Sequence, residues 1–68
     1  MKLRVEVERE DDGRWIAEVA DLPGVLAYGT TQAEAQAKVQ ALALRVVGER
    51  LEHGEAGPEL LDISFQAA

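Results

Sequence analysis

The sequence predicts an α+β domain of order β-β-β-α-β, one sheet with one helix packed on it. Three observations predict it. The first residues alternate apolar and charged with period two, as in a half-buried strand. Two turn signatures then divide the next stretch into a three-stranded meander. After them comes a capped run of more than twenty residues with helical apolar spacing.

The first strand is expected over about 2–10, where Leu3, Val5 and Val7 face one way and Lys2, Arg4, Glu6 and Glu8 the other. Glu10-Asp11-Asp12-Gly13-Arg14 supplies turn chemistry and closes a hairpin. The second strand spans about 15–20, with Trp15, Ala17 and Val19 on one face and Ile16 and Glu18 on the other. Leu22-Pro23-Gly24 follows, proline presetting φ and glycine accepting the positive φ of a type II turn. A short third strand, about 25–29, ends at Gly29. Thr31-Gln32-Ala33-Glu34 fits a capping box and opens a helix over about 32–53. Within it Ala35, Val39, Leu42, Ala43 and Val46 form the stripe expected to lie on the sheet. Ala33, Leu44, Val47 and Leu51 form a second apolar strip, covered either by the returning chain or by another copy of the molecule. Gly54 and Pro58 end the helix. A fourth strand is expected over about 60–66, with Leu61, Ile63 and Phe65 on one face and Leu60, Asp62 and Ser64 on the other.

Size and charge narrow the function. The chain has 68 residues, no cysteine and one histidine, so it is read as a single domain, 1–68, without disulfides, thiolate metal sites or an imidazole cluster. A core this small supplies only about 3–5 kcal/mol, which makes self-association the expected stabiliser. Thirteen acidic against seven basic residues give a net charge of −6, the reverse of a nucleic-acid binder. No apolar run resembles a leader or membrane span, so the expectation is a cytoplasmic protein that meets basic partners.

The ordered motifs Asp12-Gly13-Arg14-Trp15-Ile16-Ala17-Glu18-Val19, Asp21-Leu22-Pro23-Gly24-Val25 and Gly29-Thr30-Thr31 into Gln32-Ala33-Glu34-Ala35 resemble the HicB antitoxin family. The likeness runs over roughly residues 3–66. It implies a partial ribonuclease-H-like fold and, as partner, a small basic HicA-type ribonuclease held inactive by direct contact. Many relatives add a C-terminal DNA-binding segment. The chain ends at Ala68, two residues after the expected last strand, so direct DNA binding is not expected.

The partner-binding residues expected from this reading are Glu10, Asp11, Asp12 and Trp15, an aromatic anchor in an acidic rim, with Glu18 and Asp21 beside them. Leu44, Val47 and Leu51 are the expected self-association residues. No catalytic, cofactor or metal residue is expected. His53, at the helix end, reads as a cap. Two alternatives stand beside the antitoxin reading: a self-associating structural or regulatory module without a toxin, and a metal-dependent nuclease using Glu6, Glu8 and Glu18. The nuclease needs carboxylates converging on divalent ions; alternation alone already puts charge on the solvated face of a strand.

Overall fold

A computed structural model describes residues 1–55 and 62–67. Its elements are β1 (Lys2–Arg9), β2 (Trp15–Val19), β3 (Leu26–Gly29), α1 (Gln32–Glu52) and β4 (Ser64–Ala67). The sheet order is β3-β2-β1-β4. β1 and β2, then β2 and β3, pair antiparallel as the predicted meander. β4 returns beside β1 and runs parallel to it, with Leu3 opposite Phe65. The α+β class and the element order are those the sequence predicts.

Turn chemistry fixes the meander. In the first hairpin Gly13 donates to the Glu10 carbonyl and Glu10 to that of Arg14. In the second, the Val25 amide donates to the Leu22 carbonyl across Pro23 and Gly24, whose φ of +83° is the third-position geometry of a type II turn. The turn also carries core: Leu22 is 1% exposed and Val25 is buried. With Leu3, Val5, Ala17 and Val19 they meet Ala35, Val39, Ala43 and Val47 from the helix.

The helix begins on Thr31, whose Oγ1 accepts from the Glu34 amide at 3.1 Å. The reciprocal half of the capping box is displaced by one residue. Glu34 accepts from the amide of Thr30 through Oε1 at 3.3 Å and from its hydroxyl through Oε2 at 3.1 Å, while Lys38 Nζ pairs with the same Oε1 at 3.1 Å. These contacts, Lys38 first and the Thr30 amide next, hold the Glu34 carboxyl below its ordinary pKa. At the other end Gly54 donates to Leu51 and Glu55 to Arg50, the paired bonds of a Schellman motif, with Gly54 at φ +67°. His53 caps as expected: its Nδ1 donates to the Glu49 carbonyl at 2.7 Å.

Two expectations are corrected. Val47 is 3% exposed and belongs to the core rather than to the second strip. Its four-residue step from Ala43 continues the buried series 35-39-43-47, while Leu42 and Val46 pack half-buried at its margin. The last strand runs over Ser64–Ala67 instead of 60–66, because parallel pairing with β1 starts at Lys2 opposite Ser64. Ile63 and Phe65 still pack against the core, whereas Leu60 and Leu61 lie outside the described residues.

Candidate functional site

The helix covers one face of the sheet and leaves the other to solvent. Along β2, Ala17 and Val19 turn inward, so Ile16 and Glu18 turn outward. The register then assembles two rows across three strands. Glu8, Ile16 and Tyr28 form one; Glu6, Glu18 and Leu26 form the other. Leu26 and Tyr28 are 38% and 40% exposed. Glu6, Glu8, Ile16 and Glu18 line one shallow open depression.

The open side of β1 carries Lys2 and Arg4 as well as Glu6 and Glu8, and Arg4 is engaged by Asp21. Glu6 sits directly opposite Glu18, an arrangement that destabilises a sheet unless a cation joins it. None of the three glutamates is in an ion pair among the described residues. Chemically the arrangement suits an incoming lysine or arginine: its aliphatic stem can lie over Ile16 and Leu26 while its head meets Glu6 or Glu18. Arg14 bounds the face, its guanidinium 4.6 Å from the Tyr28 ring centroid.

The six residues expected to bind a partner are split up by the fold. Only Glu18 lies on the open face. Asp12 is engaged by Arg14, accepting from its amide at 3.0 Å and its Nε at 2.7 Å; the amide bond is the main cause of its lowered pKa. Asp21 is likewise tied to Arg4, whose amide donates to it at 2.9 Å and lowers its pKa. Trp15 is half-buried on the helix side, packed against the core, which is the bland role for a lone tryptophan. Glu10 is half-buried at the strand end, and Asp11 is exposed at the hairpin tip. Of the self-association residues, Leu44 and Leu51 are about half exposed and Val47 is buried.

Ile16, Leu26 and Tyr28 are absent from the sequence-expected partner site, and so are Glu6 and Glu8, which are expected site residues only in the nuclease alternative. The register was the signal for them: an Asp12-Gly13 hairpin that sets Arg9 against Trp15 also sets Glu6 against Glu18 and Glu8 against Ile16. Among the described residues no three histidine, cysteine, aspartate or glutamate side chains are placed to hold a metal ion, Glu6, Glu8 and Glu18 included. Nor is any helix there long and apolar enough to cross a membrane. In comparisons with known proteins, no family model, no curated protein and no solved structure matches this chain.

Proposed function

We propose that this chain is an antitoxin-like binding domain, similar to the HicB family, that inhibits a small basic HicA-type ribonuclease by covering its RNA-binding surface. One observation carries the reading: an uncovered sheet face on which Glu6, Glu8 and Glu18, none of them in an ion pair among the described residues, lie beside Ile16, Leu26 and Tyr28. A surface that attracts RNA phosphates is basic, and such a surface is attracted to this one by the same charges. Nothing in this role requires the domain to make or break a bond. The residues assigned to it are Glu6, Glu8 and Glu18, with Ile16 and Tyr28 as contact area and Asp11 at the margin.

The test is an RNA-cleavage assay with a HicA-type ribonuclease encoded beside this chain's gene. Stoichiometric addition of the domain should stop cleavage, and the double variant E6K/E18K should fail to stop it while keeping its helical circular dichroism. Full inhibition by that variant would remove the sheet face from the proposal. If no small basic ribonuclease is encoded there, the second reading, a self-associating module without a toxin, gains ground. Its own supporting observation is the exposure of Leu44 and Leu51 on the helix.

A further inference from the structure

The outer side of α1, turned away from the sheet, carries Ala37, Ala41, Leu44, Gly48 and Leu51 at alternating steps of four and three residues. That is the seam spacing of a helix built to pack on another helix. Leu44 and Leu51 are 50% and 52% exposed, so about half of each is open to solvent. Gly48 is the second observation. Glycine weakens a helix interior relative to alanine, yet the single chain makes no use of the missing side chain. A Cβ at Gly48 would meet no atom within 4 Å, and its φ is not in the left-handed region. Gly29 differs sharply, because there a Cβ would fall 2.6 Å from the Ala35 amide. Gly48 is a hole open to the outside.

We propose that this strip pairs with the same strip of a second copy, the two helices antiparallel about a two-fold axis at the level of Val46. In that register Leu44 of each copy enters the hole over Gly48 of the other, and Leu51 packs on Ala41. Every layer sets a large residue against a small one, as close packing of two helices demands. A parallel pairing stacks Leu44 on Leu44 and Gly48 on Gly48, alternately crowded and empty. The antiparallel register also brings Arg45 of one copy beside Glu52 of the other, and neither is in an ion pair within its own described residues. Four layers make a small contact by the standard of stable interfaces, about 1,200–2,000 Å². The dimer therefore forms and dissociates with concentration. Its surface lies opposite the acidic sheet face, so it stands or falls independently of the toxin reading.

Light scattering from micromolar to submillimolar concentration should show the mass rising from 7.4 kDa toward twice that. L44E/L51E, changed at two exposed positions, should stay monomeric with unchanged helical circular dichroism. The chain has no cysteine, so single thiols report the register. Mixed L44C and G48C chains should form the heterodisulfide under mild oxidation, and neither alone should form its homodisulfide in comparable yield. A monomer throughout, a dimer that survives L44E/L51E, or an L44C homodisulfide as the main product would each overturn the proposal. So would a monomer whose L44E/L51E variant loses binding to a basic ribonuclease, which would give the strip to that partner.

Discussion

At the scale of single residues, the fold depends on where small groups let backbones meet. Gly29 ends β3 opposite Trp15 and lies under the first turn of α1. A methyl group there would sit 2.6 Å from the Ala35 nitrogen and 3.1 Å from its Cα, and backbone yields poorly. Gly29→Ala should therefore destabilise the domain by roughly 1–3 kcal/mol, as overpacking does, measured by urea denaturation. Gly48→Ala, a change of the same chemistry in open space, should leave the single chain at least as stable. The acidic residues give a second test at this scale. The carboxyls of Asp12, Asp21 and Glu34 are held below their ordinary values of 3.8, 3.8 and 4.5 by hydrogen bonds that the unfolded chain lacks. Below those values the unfolded chain binds protons that the folded one does not, so stability rises with pH through this range and is lost as pH falls through the folded values. The melting temperature should decline as pH falls below about 4.5. In Glu34→Gln the part due to that residue should be absent, so variant and parent should converge toward low pH; a difference that stayed constant would show that Glu34 stabilises the helix start by packing alone.

At the scale of elements, Leu22 shows how a turn can belong to the core. Local chemistry marks Leu22-Pro23-Gly24 as a turn, and it is one, but the bend also drives Leu22 inward to 1% exposure. Leu22→Ala should cost about 2–5 kcal/mol, comparable with the whole stability of a domain this small. Circular dichroism should then show a largely unfolded chain at room temperature, and retention of a cooperative melt near the parent's would refute the assignment. The same contrast separates what could be read in the sequence from what could not. Strand alternation in β1 and β2, the Asp12-Gly13 and Pro23-Gly24 turns, the Thr31 cap and the Gly54 stop are encoded within a few residues of where they act, and each is legible. Val47, the start of β4 and the shift of Glu34 onto Thr30 depend on how the helix seats on the sheet, which no local window contains. The candidate site falls between the two. Alternation shows Glu6 and Glu8 as a charged strand face, but of the three glutamates only Glu18 is expected from the sequence to meet a partner, and the apolar half emerges only once register sets Tyr28 and Leu26 beside Ile16 and Glu18.

At the scale of the molecule, the two proposed surfaces lie on opposite sides, and salt should act on them in opposite directions. Each chain carries −6, so two copies repel as they approach, and the rim pairs of Arg45 with Glu52 are of the exposed kind that contribute about 0–1 kcal/mol each. Salt screens that repulsion over a Debye length of about 10 Å at 0.1 M, while the apolar layers of Leu44 and Leu51 are unaffected. Self-association should strengthen from low to moderate ionic strength. Capture of a basic protein by Glu6, Glu8 and Glu18 should weaken over the same range, because its attraction is what the salt screens. In E6K/E18K each reversal adds two charges and moves the net charge from −6 to −2, so the salt response of both equilibria should flatten together. A dimer joined through its helices also points both acidic faces outward. On a surface densely coated with a basic protein it should dissociate roughly tenfold or more slowly than the L44E/L51E monomer, through effective concentration alone. On a sparse coating the two should leave at the same rate. Equal rates on both coatings, with the wild type dimeric in solution, would mean that the dimer buries its acidic faces instead of presenting them.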